Sequence, residues 1–114
     1  MILPGLAESA SGITMTVTGA IRHRCPFVDE ADEGTITIVW VTGEGTVELH
    51  SLAAFLDQYA KRAISHEDLV YEVFDHLEAL APHILVRSVT ARFTTAGIDV
   101  EVSRGAVPVD AVGT

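Results

Sequence analysis

A single cysteine, Cys25, stands among 114 residues, so no disulfide can form within the chain and a cysteine-rich zinc knuckle is excluded. A reducing, cytoplasmic setting is the expectation that follows. Every apolar run is far shorter than a bilayer span, and Met1–Ala10 lacks the basic start and apolar length of a signal peptide, so no membrane partner is expected. Positive charge is scarce. Seven Lys and Arg stand against sixteen Asp and Glu, and the net charge of −9 opposes a broad phosphate-neutralising groove. The chain also lacks a Gly-rich phosphate cradle, a Gly-x-Ser-x-Gly elbow and a His-Glu-x-x-His helix.

What is present folds. Apolar residues make up 48% and charged residues 20% of the chain, a globular composition at a length that suits one domain with one core. Residues 1–12 mix Pro, Gly, Ser and Ala without a period and read as a leader. Residues 13–104 carry the periodic pattern of the single domain, and 105–114 read as a tail.

Within the domain, Ile13, Met15 and Val17 alternate with threonines in a half-buried strand running to about Arg22. Thr35–Val41 alternates again, with Ile36, Ile38 and Trp40 on one face, and Gly43-Glu44-Gly45 closes it. The period then becomes helical. Leu52, Leu56, Tyr59, Ala60 and Ala63 mark a first helix with Ser51 as N-cap and Lys61-Arg62 in its last turn. Ser65 caps a second helix, whose stripe is Val70, Val73, Phe74 and Leu77 and which ends at Pro82. Ile84–Phe93 and the alternating Ile98, Val100, Val102 supply two further strands. The order β-β-α-α-β-β predicts an α+β fold: a four-stranded antiparallel sheet with two helices on one face. The outward Val39 and Val41, with exposed sheet edges, point to assembly with further copies of the chain.

The segment Cys25-Pro26-Phe27-Val28-Asp29-Glu30-Ala31-Asp32 connects the first two strands and reads as a functional loop. Cys25 is either a small buried hydrophobe or a nucleophile, and the neighbouring Arg22, His23 and Arg24 favour the thiolate. Asp32 reads either as a proton donor paired with Cys25 or as part of a solvated acidic loop with Asp29, Glu30 and Glu33. His66-Glu67 opens the second helix, where free amides and a carboxylate suit a purine edge, although an acid there also complements the helix dipole. Glu48 and His50 carry the same ambiguity. His23-x-Cys25 with His50 or His66 would make three zinc ligands, but the spacing matches no established signature and no metal is expected. Trp40, Phe55, Phe74 and Phe93 fit core or interface positions, and His76 and His83 fit the surface.

Together these spacings resemble the 7-cyano-7-deazaguanine reductases of queuosine biosynthesis and their non-reducing QueF-like relatives, over roughly Cys25 to Val102. Cys25-Pro26, then Asp32 seven residues after the cysteine, Thr35-Ile36, Glu48, and His66-Glu67 eighteen residues after Glu48 carry the likeness. The resemblance implies the tunnelling fold (T-fold), assembled as a homo-oligomeric ring with active sites between subunits. It implies that Cys25 attacks the nitrile carbon of a 7-deazaguanine base to form a thioimidate. Asp32 would relay the proton, His66 would assist, and Glu67 and Glu48 would hold the substrate.

Departures from the family pattern bear on the cofactor. The reductases carry a Glu-Ser/Leu-Lys-Ser/Ala-x-Lys stretch that grips the NADPH phosphates, whereas this chain reads Glu48-Leu49-His50-Ser51-Leu52-Ala53 with both lysines gone. Their Phe-Thr-Pro-Arg-Gly-Gly segment is replaced by Phe93-Thr94-Thr95-Ala96-Gly97, and Ser65 stands where an aromatic residue precedes the His-Glu pair. Each charge-assisted bond to a phosphate is worth about 1.5–3 kcal/mol, so their loss points away from hydride transfer and toward no cofactor. Ammonia as co-substrate would then resolve the thioimidate to an amidine, as in archaeosine formation. The base would be free or held in nucleic acid, the latter only if a ring gathers Arg22, Arg24, Arg87 and Arg92 around its opening. The alternatives are an NADPH-dependent nitrile reductase, and a non-catalytic purine- or pterin-binding T-fold protein in which Cys25 only packs.

Overall fold

Residues 1–105 are described by a computed structural model, so the expected tail lies outside the described residues apart from Gly105. The elements are β1 (Leu6–Ala7), β2 (Thr14–Arg24), β3 (Ala31–Thr42), β4 (Thr46–Val47), α1 (Leu49–Asp57), α2 (His66–Glu78), β5 (Ile84–Thr95) and β6 (Ile98–Gly105). Four long strands form one antiparallel sheet in the order β2-β3-β5-β6, and β1 and β4 pair as a small separate ribbon. The β-β-α-α-β-β order is therefore present, with two short strands added.

Alternation builds the two faces. On β3 the even residues Ile36, Ile38 and Trp40 are all but fully buried beneath the helices, while Val39 and Val41 lie half-buried on the opposite face, across from Thr16 and Thr14 of β2. Val89, Ala91 and Phe93 of β5 continue the inner layer. A bulge between Val39 and Trp40 shifts the register with β5. Trp40 is completely buried, and its indole N–H donates to Thr46 Oγ1 at 3.0 Å, which ties β4 to the sheet.

Helix α2 lies across β5 and β6 and α1 approaches β2. The stripe of α2 is Leu69, Val70, Val73, Phe74 and Leu77, and Ser65 Oγ caps it by accepting from Asp68 N at 3.1 Å. It stops at Glu78, short of Pro82. Helix α1 departs from the sequence expectation at both ends. Its N-cap is Glu48 rather than Ser51, because the Glu48 carboxylate curls forward to accept from the amides of His50 and Ser51 while the Ser51 hydroxyl donates to the Glu48 carbonyl. It ends at Asp57, so Lys61-Arg62 lie beyond it in the following turns. The leader is also more than an irregular segment: β1 pairs with β4, Gly5 N donates to Ser51 Oγ at 2.7 Å, and Gln58 bonds both backbone groups of Ile2. Among the described residues no helix is long and apolar enough to cross a membrane.

Candidate active site

Strand pairing and a helix start bring three polar side chains together. Asp32 is not in the loop, as the spacing suggested, but on β3, in register with His23 of β2. The connection is therefore a six-residue turn, 25–30, closed by Cys25 N donating to Glu30 O at 3.0 Å. Beyond the sheet, the α1–α2 linker is stapled to the end of β2. Arg24 N donates to Arg62 O at 2.9 Å and Ile64 N to Arg24 O at 3.1 Å. This staple sets the first residue of α2, His66, directly over Asp32.

The His66 Nε2–H donates to Asp32 Oδ2 at 2.7 Å, and Thr95 Oγ1 donates to the same oxygen at 2.9 Å. The His66 ring stacks face to face on Phe93, with centroids 4.1 Å apart and planes 6° apart. His23 stands edge-on to both rings at 5.0 Å. Burial works against the Asp32 carboxylate, but the hydrogen bonds from His66 and Thr95 and the positive potential of His66 and His23 outweigh it, and the carboxyl lies below its ordinary range. His23 is 1% exposed. Its Nδ1–H donates to the Ile64 carbonyl at 2.7 Å, leaving Nε2 facing Asp32 Oδ2 at 3.8 Å with no hydrogen-bond partner.

Cys25 is half-buried at the end of β2, two residues past His23, and is a free thiol. The cationic company expected around it is largely paired with acids: Arg24 bonds Asp29 at 2.6 and 3.1 Å, and Arg22 reaches Glu33 at 3.4 Å. Glu67 is exposed on the first turn of α2 and lines a cleft with Pro26, Phe27, Ile64, Ser65 and Tyr71, so it opens beside the turn that follows Cys25. Glu48 is not brought to this cluster. Its carboxylate accepts from Ser51 N at 2.6 Å, His50 Nδ1 at 2.8 Å and His50 N at 3.1 Å, and these bonds, the Ser51 amide first, pull it down to about 2.

Sequence reasoning overlooked Phe93 as the platform for His66, and Thr95 as a donor to Asp32. It also missed His23 as a buried neighbour of Asp32. The parity of Ile21 and His23 on β2 was the available signal for the last of these. His50, weighed as a third ligand beside His23 and Cys25 where no metal was expected, is exposed and paired with Glu48. The donor atoms that do converge, all within 4.8 Å of one another, belong to His23, Asp32 and His66. His76 is partly exposed, with its ring edge-on to Phe55. The first turn of α1, where a dinucleotide phosphate grip is expected from the resemblance, carries no lysine or arginine, and Glu48 already occupies the amides of His50 and Ser51. The residues there do not fit a dinucleotide phosphate.

A family described as QueF-like protein matches residues 31–109, a span that holds Asp32, Glu48, His66, Glu67 and Phe93 and begins after Cys25. The NADPH-dependent 7-cyano-7-deazaguanine reductase of Trichormus variabilis is 38% identical over 74 residues, 65% of this chain and 54% of that protein. The enzyme of the same name from Gloeobacter violaceus is 36% identical over 64 residues, 56% of this chain and 47% of that protein. The chain thus spans about half the length of the curated relatives it matches. Among solved structures, the archaeosine synthase QueF-Like in its apo form superposes with a TM-score of 0.75 at 20% identity, covering 89% of this chain and all of that one. The likeness is one of fold, and the architecture is that of the tunnelling fold.

Proposed function

Because the chain belongs to the QueF-like protein family, we propose that it processes the nitrile of a 7-cyano-7-deazaguanine base by covalent catalysis at Cys25. In the first step the Cys25 sulfur bonds the nitrile carbon, one π bond of the nitrile breaks, and the thiol proton passes to the nitrile nitrogen, giving a thioimidate. Asp32 and His66 relay that proton. The observation that carries this reading is their 2.7 Å hydrogen bond, fixed by Thr95 on the oxygen and Phe93 beneath the ring, at the strand end that leads into Cys25. Glu67 holds the guanine-like edge from the cleft beside the turn.

In the second step ammonia attacks the thioimidate carbon, the carbon–sulfur bond breaks, the sulfur regains a proton, and an amidine leaves. No electrons change hands. The absence of lysine and arginine from the first turn of α1 supports this resolution over hydride transfer, whereas the NADPH-dependent activity of the curated relatives favours reduction. The acidic balance of the chain and the pairing of Arg22, Arg24 and Arg92 with Glu33, Asp29 and Glu101 support a free base over a polynucleotide. Incubation with the nitrile base and ammonium, followed by mass analysis of the product, tests the assignment. The amidine is expected without NADPH. An amine formed with NADPH consumption would overturn the ammonia step.

A further inference from the structure

We propose that His23, Asp32 and His66 form a binding site for one divalent transition-metal ion of the zinc class. Donor atoms of His23, Asp32 and His66 converge from β2, β3 and the start of α2 within 4.8 Å of one another, and His23 Nε2 and His66 Nε2 both face Asp32 Oδ2. Two imidazoles and one carboxylate suit zinc, whose bonds of about 2.0–2.1 Å set neighbouring ligand atoms about 3.3 Å apart in a tetrahedron. The separations of 2.7 Å from Asp32 to His66 and 3.8 Å from Asp32 to His23 bracket that value.

The independent observation is His23. It is 1% exposed, and its Nε2 points at Asp32 with no hydrogen-bond partner, an arrangement that leaves a buried polar atom unsatisfied. A cation between His23 and Asp32 satisfies it. In the neutral ring, the Nδ1–H bond to the Ile64 carbonyl at 2.7 Å puts the free lone pair on Nε2, the arrangement by which ligating histidines are held. Thr95, donating to Asp32 Oδ2 at 2.9 Å, orients the carboxylate in the same way.

This site goes beyond the nitrile chemistry and competes with it, because the ion displaces the proton from His66 Nε2 to solvent and takes the Asp32 and His66 atoms of the proton relay. Zinc loading therefore slows thioimidate formation.

Equilibrium dialysis of the metal-stripped chain against Zn²⁺, with Co²⁺ as the spectroscopic probe, tests the site in the absence of any nitrile. One ion per chain is expected, with the visible bands of tetrahedral Co²⁺ and no sulfur-to-metal charge transfer. A large excess of Mg²⁺, which prefers oxygen ligands in an octahedron, should not displace it. H23A, D32N and H66A should each weaken zinc binding by more than about tenfold, while C25S retains it. His66 is at the helix start, with the Ser65 cap independent of its side chain, so H66A remains informative if the buried H23A fails to fold. Binding unchanged in H66A and D32N, or lost equally in C25S, would overturn the assignment. Failure of the nitrile reaction would leave these metal readouts untouched.

Discussion

Asp32 and His66 lie 34 residues apart in the chain and 2.7 Å apart in space, joined because a strand and a helix start meet at one staple of backbone hydrogen bonds. Replacing Asp32 by Asn keeps the side-chain shape and removes the charge that His66 and Thr95 serve. D32N should fold and lose most thioimidate formation, on the order of 10²–10⁴-fold, the usual range for a positioned proton-transfer group. Rates of adduct formation followed by mass spectrometry check this, and a near-wild-type rate would remove Asp32 from the relay.

Gly34 lies opposite Phe93 on the neighbouring strand. A Cβ there would come within 2.6 Å of Phe93 Cδ1 and closer still to the Arg92 carbonyl. G34A should therefore destabilise the fold by about 1–3 kcal/mol and slow adduct formation by tilting the platform beneath His66. G19A is the control. No atom lies within 4 Å of its added Cβ, so thermal melts should show little change or a slight gain.

Much of the fold was legible in the sequence because the alternation on β2, β3 and β5 and the stripe of α2 are dictated by burial alone. The site was legible only in part. Cys25, Asp32 and His66 could be named, but the place of Asp32 on a strand depends on how tightly the turn at 25–30 closes, which the acidic composition of that segment does not reveal. Ser51 reads as the better cap by residue type, yet Glu48 takes the role because its carboxylate spans two amides and the His50 ring at once. Phe93 and Thr95 join the cluster through the long-range pairing of β5 with β3 and the packing of α2's first residue on β5, for which no local pattern exists.

Glu48 and Asp32 give the protein an acid-sensitive limb. Both carboxyls are held below their ordinary values in the folded chain, so the stability they contribute is fully present above the unfolded values and is lost as pH falls. For Glu48 that window runs from its ordinary 4.5 down through about 2, and for Asp32 it lies below 3.8. Melting temperatures between pH 6 and pH 2 should fall below about pH 4.5. E48Q should melt lower at pH 6 and show a shallower acid slope. An identical slope in both proteins would mean that the Glu48 cap does not couple to pH.

The outer strands β2 and β6 each leave one edge without a partner among the described residues, and the outer face carries Val39 and Val41 between threonines. Pairing those edges with further copies would remove both exposures and close the sheet into a ring. Light scattering coupled to size exclusion should give a mass several times 12.2 kDa. A monomer at micromolar concentration would contradict the ring.

The most direct measurement is the intact mass of the protein and of C25A after incubation with 7-cyano-7-deazaguanine and no other reagent. Covalent addition predicts that the wild-type chain gains the full mass of the nitrile, since nothing leaves in the first step, and that C25A gains none. An unchanged wild-type mass, or an equal gain in C25A, would contradict nucleophilic attack by Cys25.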